Sequence, residues 1–276
     1  MFRAQFDPDG HVRAPRLIAP AAHGHKYDRG HAYIIMGPHL HGGAARLAAR
    51  AALRIGAGLV TLVGEEGALA EPCRYDAIMR RVEDAAFNVI GDKARVLLIG
   101  PGRGVGQATT AAVLTLLDRQ LPMVLDADAL TSFADAPDRL FAALRPDVVL
   151  TPHAGEFGRL FPDIDPANPG AAARAAAARC GAVVLLKGAV TQIAAPDGAA
   201  AWNDHSSSWL ATAGAGDVLG GMIAGLIAQG MAAGEAAAVA AWLHGDAGLR
   251  LGPGLIADDL PDALPSVMAA LDREEP

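Results

Sequence analysis

Residues 210–221 read Leu210-Ala211-Thr212-Ala213-Gly214-Ala215-Gly216-Asp217-Val218-Leu219-Gly220-Gly221, and this stretch decides how the chain folds. Small residues lead into an aspartate, and the apolar, glycine-punctuated residues that follow predict a helix over about 216–229. Few side chains block the approach to this turn, so the backbone N–H groups of Gly214, Ala215 and Gly216 can point into one space. Because a helix N-terminus favours negative charge, the sequence predicts an anion hole here.

Asp217 lies beside the predicted anion hole and has two interpretations. A carboxylate does not bind phosphate, so in the functional interpretation Asp217 takes a proton from a hydroxyl group that attacks a phosphoryl group. In the structural interpretation it is an N-cap, because aspartate is common at helix starts. Residues 214–217 alone leave both open.

Composition limits the classes of protein to consider. The chain has 276 residues, of which 52% are hydrophobic and only 5% aromatic, so we expect a core of Ala, Val, Leu and Ile. The formal net charge of -7 and the lack of a Lys/Arg cluster argue against nucleic-acid binding. Cys73 and Cys180 lie far apart, which favours a reducing compartment over a disulfide framework. With no apolar signal region and no bilayer-length apolar run, we expect a cytoplasmic protein with no membrane partner.

Apolar strand patterns alternate with helical patterns along the chain. This alternation predicts an α/β fold with a mostly parallel central sheet and helices on both faces. We expect an N-terminal arm over residues 1–25 and a single domain over residues 26–276. The predicted strands cover 32–36, 59–63, 96–99, 123–125, 148–150 and 183–186, with a small hairpin around Pro196-Asp197-Gly198. The predicted helices cover 44–55, 107–119, 168–180, 216–229, 234–251 and 258–271.

Ligands of such folds bind at the carboxyl ends of the parallel strands. The loops expected there are 37–43, 100–104, 126–130, 151–156 and 187–191. No Gly-Lys-Ser/Thr motif occurs, so the common P-loop is absent. The run Gly100-Pro101-Gly102-Arg103-Gly104 does not have dinucleotide-fingerprint spacing, and its glycines permit either close approach to a ligand or a plain tight turn.

Three of these loops carry titratable side chains with two interpretations each. Asp126 and Asp128 could hold the water shell of Mg²⁺ or bind ribose hydroxyls, or Asp128 could cap the next short helix. His153 could touch substrate while Glu156 orders a metal-bound water, or the segment could be a helix cap with a solvated glutamate. Lys187 could meet a phosphate as a point charge, or be an exposed lysine at a strand end.

Taken together and in order, eight segments resemble the ADP/ATP-dependent NAD(P)H-hydrate dehydratases of the ribokinase-like superfamily. Each motif is weak alone, but their order over roughly residues 26–250 is specific. The matching segments are Lys26-Tyr27-Asp28-Arg29-Gly30-His31, Gly43-Ala44-Ala45 with Ala51-Ala52-Leu53-Arg54-Ile55-Gly56-Ala57-Gly58-Leu59-Val60, Ile99-Gly100-Pro101-Gly102, Leu125-Asp126-Ala127-Asp128-Ala129-Leu130, Thr151-Pro152-His153-Ala154-Gly155-Glu156, Leu186-Lys187-Gly188, Ala211-Thr212-Ala213-Gly214-Ala215-Gly216-Asp217 and His244-Gly245.

The resemblance implies a ribokinase-like fold and the repair of hydrated nicotinamide cofactors. ADP or ATP, with Mg²⁺ bridging its phosphates, would phosphorylate the ring hydroxyl of the (6S) hydrate, and loss of phosphate would restore NADH or NADPH. Asp217 would be the catalytic base, and the amides of Gly214, Ala215 and Gly216 would stabilise the transferred phosphoryl group. Glu156 would act on the metal only indirectly.

The resemblance also implies which residues bind the two substrates. The hydrate would contact Ala44, Gly102 or Gly104, His153 and Asp217. The nucleotide would contact Gly216 and the run Lys187-Gly188-Ala189-Val190-Thr191. The family is often tetrameric, so a homo-oligomer is expected. Many bacteria fuse this domain behind an epimerase, and the chain is too short to hold one, so the epimerase is expected as a separate protein.

Two segments depart from the usual family pattern. The run Ala213-Gly214-Ala215-Gly216-Asp217 looks more like a ribokinase-type sugar kinase, and the loop 37–43 carries histidines where the family usually has glycine and serine. The alternative function is therefore a small-molecule kinase that releases a phosphorylated sugar or vitamin precursor. A non-enzymatic nucleotide sensor is a third hypothesis, and Asp217 counts against it because a sensor needs the anion hole but not the base.

Overall fold

The computed structural model describes residues 2–19, 23–71 and 75–273. Met1 and residues 20–22 of the predicted arm, Cys73 with its two neighbours, and residues 274–276 of the predicted domain lie outside the described residues. The strands are β1 Phe2–Arg3, β2 Arg16–Leu17, β3 His31–Ile35, β4 Leu59–Gly64, β5 Met79–Val82, β6 Val96–Ile99, β7 Met123–Leu125, β8 Val148–Leu150, β9 Val183–Leu186, β10 Thr191–Ala194 and β11 Ala200–Asn203. The α-helices are α1 Gly43–Arg54, α2 Glu66–Ala70, α3 Gln107–Leu117, α4 Asp128–Thr131, α5 Pro137–Phe141, α6 Ala154–Leu160, α7 Pro169–Cys180, α8 Ala215–Ala228, α9 Ala233–Leu251 and α10 Asp259–Arg273, and a 3₁₀-helix covers Ser208–Leu210.

Nine of the described strands form one sheet, in the order β11-β10-β9-β8-β7-β6-β3-β4-β5. The strands from β3 to β9 pair in parallel, and β10 is antiparallel to both β9 and β11. The predicted mostly parallel sheet is therefore confirmed. Because β11 runs in the same direction as β9, the loops after β7, β8, β9 and β11 all leave the sheet at one edge.

A hydrophobic core covers each face of the sheet, because successive strand residues point to opposite faces. In β3, Ala32 and Ile34 join the core built with α1, α8, α9 and α10. Tyr33 and Ile35 join the other core, built with α3 and α7. Helices therefore lie on both faces, as the sequence predicts.

Helix α8 is almost wholly buried between α1 and the sheet, and its first turns belong to the decisive stretch. Two glycines permit its close approach to α1: a Cβ on Gly221 would lie 2.1 Å from the Ala48 carbonyl oxygen, and one on Gly225 would lie 2.7 Å from that of Ala52. This fit fixes the N-terminus of α8 against the sheet edge. Although α8 is apolar, none of the described helices combines the length and apolarity needed to cross a membrane.

The predicted strands of the parallel sheet and the six predicted helices are present close to their predicted bounds, and the predicted hairpin is β10–β11. The edge strand β5 was not predicted, because its central residues are Arg80 and Arg81 rather than an apolar run. The order in the arm was not predicted either. The described arm residues form β1 and β2, and the Val12 N–H donates to the Trp202 carbonyl at 2.9 Å, which places the arm against the edge strand β11.

Candidate active site

The decisive stretch forms the first turn of α8. Gly214 is the N-cap and adopts φ +91°, a left-handed conformation that glycine takes without strain. A Cβ at this position would also lie 2.8 Å from Leu47 Cδ1 and from Ala257 Cβ, so the turn requires glycine. Asp217 lies in the first turn but is not the cap, so the N-cap interpretation of Asp217 is wrong.

The predicted anion hole lies at this turn. The Ala215 N–H donates to the Thr212 carbonyl at 3.3 Å, so this amide is engaged within the protein. The geometry of an α-helix leaves the N–H groups of Gly216 and Asp217 without an intrahelical partner. These amides, with the positive end of the helix dipole, provide a place for an anion such as a phosphoryl group.

A buried ion pair lies against the same turn. The Lys187 ammonium donates to Asp126 Oδ1 at 2.8 Å and lies 3.9 Å from Glu156 Oε2. Asp126 is 1% exposed and the Lys187 side chain 21%, so Lys187 is not the exposed strand-end lysine of the structural interpretation. A Cβ on Gly216 would lie 3.4 Å from Lys187 Nζ and 3.9 Å from Asp126 Oδ2. The glycine therefore leaves open the space between the ion pair and the helix N-terminus.

The surroundings of Asp217 favour its protonated form. Burial raises the pKa of Asp217 to about 7, the negative charge of Asp126 adds to the rise, and Lys187 opposes it. Burial acts to lower the pKa of Lys187, but the charge and hydrogen bond of Asp126, followed by the charges of Glu156 and Asp217, keep it above its ordinary value. A carboxyl group whose pKa lies near 7 is suited to exchange a proton at neutral pH.

The segment 151–156 forms a reciprocal helix cap for α6. His153 Nδ1 accepts from the N–H groups of Gly155 at 2.9 Å and Glu156 at 3.3 Å, and Glu156 Oε2 accepts from the His153 N–H at 2.9 Å. The helix-cap interpretation is confirmed, but the expected solvation of the glutamate is wrong, because Glu156 is buried beside Lys187. The His153 ring edge remains half-exposed at the cavity described below.

Asp128 braces the glycine loop that follows β6. Its Oδ2 accepts from the Gly104 N–H at 2.8 Å, whereas the N-cap of α4 is Ala127, so the expected capping role of Asp128 is wrong. On the other side of the loop, Arg103 donates to the Met36 carbonyl at 2.7 Å and pairs with Glu83. The loop is thereby fixed between β3 and α4, and the Gly104 amide is already paired within the protein.

A cavity of about 840 Å³ opens where β7, β8, β9 and β11 end. The structure brings most of the predicted site residues together on its wall: His153, Glu156, Lys187, Gly188, Ala189, Thr191, Gly214, Ala215, Gly216 and Asp217. Four predicted residues do not line it. Val190 is exposed, and the Gly104 amide is bonded to Asp128. Ala44 and Gly102 are neighbours, because a Cβ on Gly102 would lie 3.7 Å from Ala44 Cβ.

Part of this wall was not predicted from the sequence. Ser206, Ser207, Ser208 and His244 also line the cavity. The serine run ends two residues before the decisive stretch begins, with Trp209 between them, and that position was the available signal. His244 was noticed only as part of a resembling motif. Burial lowers the pKa of His244 to about 4; a backbone hydrogen bond with Ala215 acts against this shift, and the charge of Lys187 adds to it. Among the described residues, Nε2 of His244 is buried and has no hydrogen-bond partner.

The donor groups of the cavity suit a metal ion that is held mainly by phosphate. Within the described ranges, no group of three or more His, Cys, Asp or Glu side chains is arranged to hold a metal ion. Mg²⁺ commonly binds one or two protein carboxylates and completes its octahedron with water and substrate phosphates. Asp126 and Glu156 are the buried carboxylates on this wall, and they fit an ion that enters with a phosphorylated ligand.

Comparisons with known proteins point in the same direction as this geometry. A family model for NAD(P)H-hydrate dehydratase matches residues 32–265. The chain is 41% identical over 214 residues to the bifunctional NAD(P)H-hydrate repair enzyme Nnr of Mycobacterium tuberculosis, and the matched region covers 76% of this chain and 43% of that protein. It is 36% identical over 267 residues to the ADP-dependent (S)-NAD(P)H-hydrate dehydratase of Neisseria meningitidis, covering 91% of this chain and 90% of that one. The chain thus spans about half the length of the bifunctional relatives it matches.

Solved structures confirm the predicted ribokinase-like fold. The ADP/ATP-dependent NAD(P)H-hydrate dehydratase from Bacillus subtilis, co-crystallised with ATP and Mg²⁺, superposes with a TM-score of 0.79 at 29% identity, over 93% of this chain and 95% of that one. A ribokinase-like superfamily protein from Enterococcus faecalis superposes with a TM-score of 0.79 at 26% identity, over 93% and 92% of the two chains.

Proposed function

The chain belongs to the NAD(P)H-hydrate dehydratase family, and we propose that it uses ADP or ATP to convert (6S)-NAD(P)H hydrate back to NADH or NADPH. The observation that carries the proposal is the position of Asp217. Its carboxyl group, with a pKa of about 7, lies in the first turn of α8 beside the predicted anion hole and the Lys187–Asp126 pair. A base beside a phosphate site is the arrangement that phosphorylation of a hydroxyl requires.

In the first step, the ring hydroxyl oxygen of the hydrate attacks the terminal phosphorus of the nucleotide. The bond from that phosphorus to the bridging oxygen breaks, and Asp217 takes the hydroxyl proton. The N–H groups at the start of α8 and the Lys187 ammonium stabilise the negative charge that spreads over the phosphoryl oxygens. Asp126 and Glu156 would hold the waters of a Mg²⁺ ion that enters with the nucleotide, and such an ion would neutralise further phosphate charge.

In the second step, the phosphate ester is eliminated. The carbon–oxygen bond breaks, phosphate leaves with the bonding electrons, and a proton passes from the neighbouring ring carbon to water. The ring double bond is thereby restored in conjugation with the ring nitrogen. Hydroxide is a poor leaving group and phosphate a good one, so the nucleotide serves to activate the hydroxyl. The N-terminus of α8 stabilises the departing anion in this step as well.

We assign the two substrates to the residues that the family resemblance indicates. The nucleotide contacts Gly216 and residues 187–191, most of which share the cavity wall. The hydrate contacts Asp217 and His153 on that wall, and reaches past α8 towards Ala44, Gly102 and Gly104. Since Gly214 packs against Leu47, one turn beyond Ala44 on α1, the predicted base lies between these two groups of residues.

A small-molecule kinase remains the competing function for one specific reason. The run Ala213-Gly214-Ala215-Gly216-Asp217 resembles that of sugar kinases, and the first chemical step is common to both functions. The family match and the relatives support the dehydratase instead. The two functions differ in whether the phosphorylated intermediate loses phosphate.

The test is incubation of the purified protein with (6S)-NADHX, Mg²⁺ and either ADP or ATP. We expect the absorbance of the reduced nicotinamide to return while phosphate is released in equal amount. If neither nucleotide supports the return of NADH, but a ribose-like or thiazole-like alcohol becomes phosphorylated, the kinase is the correct function.

The assembly and setting of the enzyme are further parts of this proposal. We propose a homotetramer that works in the cytoplasm together with an epimerase activity, which would supply the (6S) hydrate from its epimer. The name of the bifunctional relatives agrees with two coupled repair activities. Light scattering at micromolar concentration tests the assembly, and a monomer-sized particle would contradict it.

A further inference from the structure

A side chain of the N-terminal arm contacts a segment that forms part of the cavity wall. His11 Nε2 donates to Asp204 Oδ1 at 2.8 Å. Asp204 is the first residue of what we name the wall segment, residues 204–208, whose Ser206, Ser207 and Ser208 line the cavity. The arm begins before the family match, which starts at residue 32, and none of the resembling segments includes it.

The wall segment needs anchors because its first four residues belong to no helix or strand. Two anchors come from the body of the protein. Buried Asn203 donates to the His205 carbonyl at 3.2 Å, and His205 Nε2 donates to Asp246 Oδ1 at 3.0 Å while its ring stacks on Trp242. A Cβ on Gly245 would lie 1.7 Å from the His205 carbonyl oxygen, so α9 approaches the segment closely.

The third anchor is the arm, and His11 is held firmly enough to act as one. The Val12 N–H donates to the Trp202 carbonyl at 2.9 Å, and the Trp202 N–H donates to the Gly10 carbonyl at 3.0 Å. The His11 ring stacks on the Trp202 ring, with centroids 4.1 Å apart and an interplanar angle of 15°. The backbone on either side of His11 and the His11 ring itself are therefore both held in place, and Nε2 is directed to Asp204.

We propose that His11 is a positioning residue for the phosphoryl donor: by holding Asp204, it fixes the wall segment and so sets the affinity for the adenine nucleotide. The inference rests on the proposed function for the identity of that ligand. The nucleotide is favoured over the hydrate because Thr191 lies opposite Asn203 in the β10–β11 pair. The wall segment therefore starts beside residues 187–191, and not beside Ala44 or Gly102.

The test uses His11→Phe, which keeps a ring on Trp202 and removes the donor to Asp204. We expect the Kd for ADP and ATP, measured by calorimetry, to rise about fivefold, the scale of one lost hydrogen bond. We expect kcat to change less than about twofold, because Asp217 and Lys187 are held by α8 and β9. His11→Phe also removes the 3.5 Å contact of His11 Nδ1 with Asp7. Asp204→Ala leaves that contact in place and should nevertheless have the same effect, and the double variant should add little, because both changes remove the His11–Asp204 hydrogen bond.

The matched control is Arg13→Ala. Arg13 is on the same arm and pairs with Asp7 at 2.6 Å. Its charge acts on Asp204, but no described hydrogen bond or ion pair joins it to the wall segment, so this variant removes charge from the arm and leaves the His11–Asp204 hydrogen bond in place. We expect this variant to bind nucleotide as the wild type does. If the Kd of His11→Phe is unchanged, or if Arg13→Ala weakens binding equally, His11 does not position the wall segment and the inference is overturned.

Hydrogen exchange separates this inference from the proposed function. In the free protein, the amides of residues 205–210 should exchange faster in His11→Phe than in the wild type. Their exchange rates in Arg13→Ala should equal those of the wild type. If the wild type binds no adenine nucleotide at all, the proposed function fails, whereas the exchange result still decides whether His11 holds the wall segment. Equal exchange in the wild type and His11→Phe would overturn the inference whatever the nucleotide data show.

Discussion

Two cavities of similar size lie at opposite ends of the central sheet. The larger, about 940 Å³, lies where β8 and β9 begin, and its wall is mostly glycine, alanine and proline with scattered exposed charges such as Arg174 and Asp197. The smaller, about 840 Å³, lies where β7, β8 and β9 end and carries Asp126, Glu156 and Asp217 around Lys187. The candidate site is therefore distinguished by opposite charges buried at a helix N-terminus and not by its volume.

The largest expected effect is that of Asp217→Asn at the smaller cavity. Turnover should fall by at least about 10²-fold, the usual cost of losing a general base, while calorimetry shows that nucleotide still binds. Arg174→Ala at the larger cavity is the matched control and should leave turnover unchanged. Near-normal turnover in Asp217→Asn, or an equal loss in Arg174→Ala, would break the contrast between the two cavities.

The next effect concerns the space kept open by Gly216. In Gly216→Val, the side chain would enter the region where a Cβ lies 3.4 Å from Lys187 Nζ, and it would block phosphate from the first amides of α8. We expect ADP and ATP affinity and activity to fall together, by about tenfold or more. Unchanged nucleotide affinity in a folded variant would show that the anion does not bind at this turn.

A smaller effect is expected when the charge that acts on Asp217 is changed. In Asp126→Asn, the carboxylate that raises the pKa of Asp217 is gone, so the pKa should fall and the acid limb of the kcat/KM profile should move to lower pH. The loss of activity should be smaller than for Asp217→Asn. Asp128→Asn, which removes a weaker contribution, should move the limb less in the same direction. If the acid limb of the kcat/KM profile stays at the same pH in both variants, that limb does not reflect the ionisation of Asp217.

The smallest effect is on stability. The pKa of Asp217 is raised from 3.8 to about 7, so the stability linked to this group is fully present below its ordinary pKa and is lost as the pH rises through about 7. Asp217→Asn should therefore unfold at a higher temperature than the wild type at pH 8, by about 2 °C or more. The difference should disappear as the pH approaches 4. A pH-independent difference in Tm would contradict the raised pKa.

The contrast between the cavities was only partly predictable from the sequence. The turn of α8 and the strand ends that carry Asp126 and Lys187 follow from local patterns, as does the cap of α6 that carries Glu156, because parallel strands bring their carboxyl ends to one edge. The pairing of Lys187 with Asp126 depends on which strands are neighbours, and β7 and β9 are separated by β8. No local pattern specifies that order.

The rest of the wall was hidden for a different reason. His244 lies in the middle of an alanine-rich helix and resembles a core residue until α9 is packed beside α8. His11 is in a segment with no hydrophobic period, and its role depends on a contact with Asp204, a residue 193 positions away. Such long-range polar contacts arise from tertiary packing, which neither propensity nor spacing encodes.

The most direct test of the central claim follows one oxygen atom. The hydrate is prepared with ¹⁸O in its ring hydroxyl and is incubated with the protein, Mg²⁺ and ADP or ATP. If the hydroxyl attacks phosphorus and then leaves with it, mass spectrometry should find one ¹⁸O in each released phosphate while NADH returns. If the label is found in water, the hydroxyl was never phosphorylated, and the roles assigned to Asp217 and the N-terminus of α8 would be wrong.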